Sequence, residues 1–146
     1  MLIARKAVVA AVIALTAITL YVVARFYAQD DIQSADFRNA ATAEIRDSTG
    51  KVVLGGSFKL VEEEDDDIER KAALVPTAGS EAMGEAEVEY ATEMPADQEV
   101  EFAARGLAAG TAYTLIVDGR EVATVTADAR GRIAVEINVP LPGALR

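Results

Sequence analysis

The chain of 146 residues contains no cysteine and no histidine. Without cysteine no disulfide can form, and without either residue the common zinc sites are excluded. The same absences exclude catalysis by a Ser-His-Asp triad or by a cysteine–histidine pair. The glycine-rich loops that cradle phosphate groups are also missing. We therefore expect a protein that is not an enzyme and that needs no cofactor.

Acidic residues outnumber basic residues by 24 to 14, so the net charge is −10 at pH 7. The first 24 residues hold only two charges, those of Arg5 and Lys6, which leaves 12 basic against 24 acidic residues in the remainder. Such a domain repels the phosphate backbone of nucleic acids, and we expect no nucleic-acid partner. Acidic charge keeps a small domain soluble, and it also attracts divalent cations or a basic protein.

An uncharged apolar run extends from Ala7 to Ala24, directly after Arg5 and Lys6. As a helix it spans roughly 27 Å, close to the ~30 Å hydrocarbon core of a bilayer. Basic residues before the run and the acids Asp30 and Asp31 after it predict an N-terminus inside the cell and a C-terminus outside. The run therefore indicates membrane insertion or export.

Two interpretations of this segment stay open. Its length favours an uncleaved anchor, which gives a single-pass membrane protein with its C-terminal domain outside the cytoplasm. Small residues at Val22-Val23-Ala24 also fit a signal peptide cleaved after Ala24, which gives a secreted or periplasmic protein. The expected organisation is a signal-anchor helix or signal peptide over 1–28, a linker over 29–40, a β-sandwich domain over 41–140 and a tail over 141–146.

Short extended runs separated by turn signals predict β structure from Ala41 onward. Residues 85–90 and 99–102 alternate acidic with apolar side chains, as in strands with one buried and one solvated face. Asp118-Gly119 between two β-rich runs predicts a hairpin, because a type I′ turn needs positive φ at both central positions. We expect an all-β fold, an immunoglobulin-like or transthyretin-like sandwich of about seven strands, preceded by one N-terminal hydrophobic helix.

Two details of this prediction depend on local signals. Residues 69–76 alternate as a strand does, although they also fit a short helix that ends before a proline; we interpret them as a strand. The first predicted hairpin joins residues 41–47 to residues 51–61 through a turn that contains Gly50. Its second strand contains the pair Gly55-Gly56, which predicts a bulge or a close approach of another backbone.

Residues 106–137 read GLAAGTAYTLIVDGREVATVTADARGRIAVEI. Their Gly-Leu-x-x-Gly-Thr turn, tyrosine-bearing strand, Val-Asp-Gly hairpin and Asp-x-x-Gly turn resemble a recurrent β-sandwich module of bacterial envelope proteins. With GEAEVEY upstream, the resemblance covers residues 84–139. It implies that Leu107 and Tyr113 are core residues, that the glycines form turns, and that the module serves adhesion or scaffolding rather than catalysis.

Six consecutive acidic residues are the candidates for a metal site. Calcium takes six to eight oxygen ligands, often from carboxylates. The Asp-x-Asp-x-Asp-Gly spacing of a calcium loop is missing, however, and a run of acids also fits a solvated loop. Both interpretations stay open. The candidate residues are Glu62, Glu63, Glu64, Asp65, Asp66 and Asp67.

A second set of carboxylates lies on the predicted strands, at Glu85, Glu87, Glu89, Glu99 and Glu101. Paired carboxylates hydrolyse glycosidic bonds, but the period of a strand already explains this stripe. Like charges that face each other on adjacent strands repel. We therefore predict that Glu87 and Glu101 are not directly opposite, or that a lysine or arginine side chain intervenes.

These observations predict a non-enzymatic exported envelope protein with a structural or protein-interaction role. Its expected partners are the membrane, through the N-terminal helix, and another envelope protein. The alternative is a cation- or ligand-binding accessory domain that uses the acidic segment 62–67, with calcium as the cation.

Overall fold

The computed structural model describes residues 24–27, 35–64, 67–93 and 97–143. These residues form strands and turns and no helix, which confirms the prediction of an all-β fold. They make ten strands rather than about seven. The strands are β1 (Ala24–Tyr27), β2 (Thr42–Arg46), β3 (Val52–Ser57), β4 (Lys59–Glu64), β5 (Asp67–Pro76), β6 (Met83–Ala91), β7 (Asp97–Arg105), β8 (Ala112–Val117), β9 (Arg120–Thr126) and β10 (Ile133–Pro140).

The strands form one sheet in the order β1-β10-β7-β6-β5-β3-β2-β8-β9, and β4 pairs with β5 beside this path. The sheet folds over where β5 meets β3. We call the part made by β1, β10, β7, β6, β5 and β4 layer A, and the part made by β3, β2, β8 and β9 layer B. Because β9 also approaches β10, the sheet is nearly closed. Among the described pairs only β1 with β10 is parallel.

A single core lies between the two layers. Strands expose alternate side chains on opposite faces, and the inward positions of β6 and β7 are the apolar residues that the sequence pattern predicts. Burial of a large aliphatic or aromatic side chain contributes about 1.5–3 kcal/mol. The largest buried apolar side chains are Phe37, Ile45, Leu54, Leu74, Val88, Val100, Phe102, Leu115, Val117, Val122 and Ile137.

The segment that the sequence assigns to a linker over 29–40 contributes to this core. Ala35, Phe37 and Ala40 are buried. The buried side chain of Gln98 holds them in place: its Oε1 accepts a hydrogen bond from the Phe37 backbone N–H at 2.8 Å, and its Nε2 donates to the Ala35 carbonyl oxygen. The packed part of the chain therefore includes residues 35–40.

The hydrophobic helix expected over residues 1–28 lies outside the described residues, except for Ala24–Tyr27. These four residues form β1, a strand and not the end of a helix. The uncharged run ends at Ala24, before Arg25, and the aromatic residues that follow favour strands. No helix within the described ranges is long and apolar enough to cross a membrane. The anchor or signal peptide stays a prediction.

Residues 69–76 lie within β5, which confirms the prediction of a strand. The Asp118-Gly119 turn also has the predicted geometry, with φ of 48° and 76°. Asp118 has a second role, since its Oδ1 accepts hydrogen bonds from the backbone N–H groups of Ala41 at 2.8 Å and Thr42 at 2.9 Å. The β8–β9 hairpin is thereby attached to the start of β2.

The connection from β7 in layer A to β8 in layer B is fixed by Tyr113. This residue is buried, and its hydroxyl oxygen accepts a hydrogen bond from the Ala108 backbone N–H at 3.0 Å. A similar bond from a tyrosine hydroxyl to the backbone a few residues upstream, called a tyrosine corner, occurs in immunoglobulin sandwiches. Leu107 is partly buried against the same core.

The second predicted strand divides at Phe58 into β3 and β4. Both parts pair with the same side of β5, at Leu54 with Pro76 and at Lys59 with Lys71. Phe58 turns inward and donates its backbone N–H to the carbonyl of Ala41 at 2.9 Å. Beyond this residue the chain leaves β2 and continues along β5 alone.

The pair Gly55-Gly56 lies where β3 meets β5. A Cβ atom at Gly56 would stand 2.1 Å from the carbonyl oxygen of Ala73, which confirms the predicted close approach of another backbone. A Cβ atom at Gly55 would meet its nearest neighbour, a methyl group of Val52, at 3.6 Å, an ordinary contact.

We expect Gly56→Ala to lower the free energy of unfolding by about 1–3 kcal/mol, because β5 must shift to admit the methyl group. The neighbouring Gly55→Ala is the matched control, with a change of less than about 1 kcal/mol in either direction. Urea denaturation of both variants measures the difference. Equal effects of the two substitutions would contradict the close contact between β3 and β5.

Candidate functional site

The outer surface of layer A carries a cluster of carboxylates from four neighbouring strands. Because side chains alternate between the faces of a strand, the residues between the buried apolar positions of β5, β6, β7 and β10 emerge on one surface. We call this surface the acidic face. It consists of Glu69, Lys71, Glu85, Glu87, Glu89, Glu99, Glu101 and Glu136.

The register of the strands aligns most of these side chains in two rows that cross the sheet. Within a row, residues on adjacent strands are direct neighbours, so each carboxylate has carboxylates on at least one side. In the order β10, β7, β6 and β5, the first row is Glu136, Glu101, Glu87 and Lys71, and the second is Asn138, Glu99, Glu89 and Glu69.

Glu87 and Glu101 are directly opposite each other. The first of the two predicted alternatives is therefore wrong, and in place of the second a lysine lies beside Glu87 rather than between the two carboxylates. Lys71 lies on the other side of Glu87, with its Nζ 3.7 Å from Glu87 Oε2, and it also forms an ion pair with Glu69. Lys71 thus compensates part of the repulsion around Glu87.

The acidic face is less solvated than the alternating pattern predicts. Glu69 and Glu87 are only 7 % exposed, and Glu99, Glu101 and Glu136 are half-buried. Neighbouring strands lie about 4.8 Å apart, so long side chains that emerge side by side cover one another. The carboxylates are therefore partly removed from water while they remain close to like charges.

This environment changes the protonation of Glu87. Burial raises the pKa of its carboxyl group from the ordinary 4.5 to about 8, and the charge of Glu69 adds to the rise. Lys71 opposes the rise, and Glu101 and Glu89 reinforce it. Burial also raises the pKa of Glu85. Part of the acidic face is consequently protonated near neutral pH.

The closest carboxylates are those of Glu99, Glu101 and Glu136, at the β7–β10 junction. One oxygen from each lies within 4.8 Å of the others. Burial raises the pKa of Glu99 to about 8, with further contributions from the charge of Glu136 and from a hydrogen bond with Glu101. Burial likewise raises the pKa of Glu101. Such a triad is suited to holding a proton or a cation that prefers oxygen ligands.

The candidates predicted from the acidic run lie elsewhere on layer A. Glu62, Glu63 and Glu64 end β4, and Asp67 begins β5 opposite Glu64. Asp65 and Asp66 lie outside the described residues. The run is therefore the end of the β4–β5 hairpin, and β5 and β6 separate it from the triad at the β7–β10 junction.

A cleft of about 280 Å³ lies near the tyrosine corner, between the β2–β3, β5–β6 and β7–β8 connections. Its hydroxyl groups already have partners within the protein. Thr77 Oγ1 donates to the carbonyl of Val52 at 2.6 Å, and Ser80 Oγ accepts from the N–H of Ala82 at 3.2 Å. The cleft therefore presents fewer free polar groups to a ligand than the acidic face does.

Sequence reasoning missed the participation of Glu69, Lys71 and Glu136. The outward position of Glu136 is visible in its alternation with Val135 and Ile137. The residues beside Glu136 in the sheet cannot be inferred from the sequence, because β10 follows β9 along the chain but pairs with β7.

No family model, no curated protein and no solved structure matches the chain. The resemblance of residues 84–139 to an envelope module therefore stays a prediction.

We expect the free energy of unfolding to fall as the pH rises from about 4.5 to about 8. In this window the folded chain keeps the protons of Glu87 and Glu99, whose pKa values are raised to about 8, while the unfolded chain releases them. Thermal unfolding at a series of pH values measures the decline. It should be smaller in Glu87→Gln, which cannot titrate.

The exposed Glu93 provides the control, because Glu93→Gln removes a carboxylate that lies outside the acidic face. This variant should keep the decline of the original protein. A decline that is the same in all three proteins would show that the acidic face does not cause it.

Proposed function

We propose that the chain is a non-enzymatic exported envelope protein whose β-domain binds another protein through the acidic face. The observation that carries this proposal is the set of seven glutamates, half-buried or buried, that lie side by side on one face, where Lys71 forms ion pairs with Glu69 and Glu87. A basic surface placed over them supplies further counter-charges. It also displaces the protons that the raised pKa values retain.

The shape of the site supports a protein partner. The two rows cross four strands on the outside of a sheet, which makes an open surface rather than a pocket. Electrostatic complementarity across such a surface guides association and fixes the orientation of the partner. Buried and partly desolvated carboxylates interact more strongly with an incoming cation than fully hydrated ones do.

The proposed location depends on the apolar run Ala7–Ala24, which supports attachment to the cell membrane with the β-domain outside the cytoplasm. Cleavage after Ala24 gives a secreted or periplasmic protein instead. For the finer class of the fold we propose an immunoglobulin-like sandwich, which the tyrosine corner at Tyr113 supports. A transthyretin-like sandwich is the alternative.

Chemical cross-linking in cells tests the interaction. The double variant Glu87→Gln, Glu101→Gln replaces two carboxyl groups at the centre of the acidic face with side chains that cannot ionise. The control Glu81→Gln, Glu93→Gln removes two exposed charges outside it. We expect the face variant to lose cross-linked adducts by at least about tenfold, the equivalent of about 1.4 kcal/mol, while the control keeps them.

Circular dichroism and melting temperature establish that both double variants are folded. Adducts that persist unchanged in the folded face variant would overturn binding through the acidic face.

A second candidate function is cation binding, and the proximity of Glu99, Glu101 and Glu136 favours it. In this second proposal calcium binds to the triad and not to the acidic run over residues 62–67. Calcium takes carboxylate oxygens at 2.3–2.6 Å and fills its remaining positions with water. Three converging carboxylates supply the charge that such a site needs.

We expect millimolar calcium to raise the melting temperature if the triad binds it, because a ligand of the folded state stabilises by about 2.7 kcal/mol at 100 times its Kd. The shift should disappear in Glu99→Gln, Glu136→Gln. It should persist when Glu62 and Glu63 are replaced by glutamine. If calcium does not raise the melting temperature of the original protein, cation binding is rejected. If the rise is lost only when Glu62 and Glu63 are replaced, calcium binds at the acidic run and not at the triad.

A further inference from the structure

The strand β4 forms one edge of layer A. Among the described strands it pairs with β5 alone, and β5 uses its other side to pair with β6. The outer side of an edge strand carries backbone N–H and C=O groups that are not used within the sheet. These groups are a template for the addition of another strand.

The same edge presents apolar side chains to solvent. Leu60 is 54 % exposed and Val61 is 56 % exposed, and they are adjacent in the chain. The register with β5 shifts between Leu60 and Glu62, so that Val61 is the additional residue of a bulge. An adjacent pair of exposed apolar residues on an edge strand offers apolar contact to an added strand.

The charge of this edge determines what can pair with it. Glu62, Glu63 and Glu64 follow the apolar pair directly within β4. Acidic residues on an edge disfavour pairing with another acidic strand. They favour a strand that carries lysine or arginine at the facing positions. The net charge of −10 on the chain also favours a basic partner strand over an acidic one.

The position of β4 connects the edge with the acidic face. Lys59 pairs with Lys71, in the row that continues to Glu87, and Glu62 pairs with Glu69, in the row that continues to Glu89. A strand added outside β4 therefore extends the same two rows by one position. In the second row a basic residue of that strand contributes a counter-charge next to Glu62, whereas in the first row the facing residue is Lys59.

We infer that the open edge of β4 accepts an extended, lysine- or arginine-bearing segment of a partner protein, which adds one strand to layer A. This inference rests on the proposed protein-interaction function and specifies the place and the chemistry of the contact. Backbone hydrogen bonds provide the pairing, Leu60 and Val61 provide apolar contact, and the acidic residues of β4 select a basic sequence.

The test uses the full chain in detergent and a fluorescent synthetic peptide of alternating lysine and valine. A peptide of alternating glutamate and valine is the control for charge. We expect the lysine peptide to bind and the glutamate peptide to bind at least about tenfold more weakly. Hydrogen exchange of the β4 amides should become slower when the lysine peptide is bound, because an added strand protects them.

Two matched variants distinguish the edge from charge in general. Val61→Lys places a positive charge on the edge, and Val75→Lys places the same charge on β5 at a position of similar exposure, 61 % against 56 %. We expect Val61→Lys to weaken peptide binding at least about tenfold and Val75→Lys to change it little. Equal effects of the two substitutions, or no slowing of exchange in β4, would overturn the inference.

The face variant Glu87→Gln, Glu101→Gln separates this inference from the proposed function. If it abolishes peptide binding while Val61→Lys does not, the acidic face binds and the edge does not. If Val61→Lys instead changes the oligomeric state measured by sedimentation, a second copy of the chain occupies the edge, and the inference of a basic partner is wrong.

Discussion

The alternation of side chains along β6 and β7 is the constraint on which the rest of layer A depends. Val88, Val100 and Phe102 enter the core, and each contributes about 1.5–3 kcal/mol through burial. The glutamates between them must then emerge together on the opposite face. A cross-strand pair of like charges costs less, about 0.2–1 kcal/mol. The core therefore dictates the register, and the acidic face follows from it.

Local signals in the sequence predicted where strands and turns lie better than they predicted which strands pair with each other. The strand at 69–76, the Asp118-Gly119 turn and the close approach at Gly56 all follow from residues that are adjacent in the sequence. The pairing of β10 with β7 does not, because two other strands intervene along the chain. The position of Glu136 beside Glu101 therefore depends on the order of the strands, which local signals do not reveal.

The acidic residues of this chain fall into two groups with different physical settings. Those of the acidic face are partly buried, and the pKa values of Glu87 and Glu99 rise to about 8 because burial and neighbouring charges both oppose ionisation. Those of the run Glu62–Glu64 lie on β4, which pairs with β5 alone among the described strands. A sequence shows both groups simply as acidic, since burial and pairing depend on contacts between distant residues.

The parallel pairing of β1 with β10 has a consequence for the order of assembly. Ala24 is a partner of Val135, so the first described strand meets its neighbour only when nearly the whole chain is available. Contacts between residues so far apart in sequence make folding slow, because a long loop must close before they form. During synthesis the pairing of β7 with β10 likewise forms only after β10 has been made. Completion of layer A is thus a late event that requires the C-terminal strand.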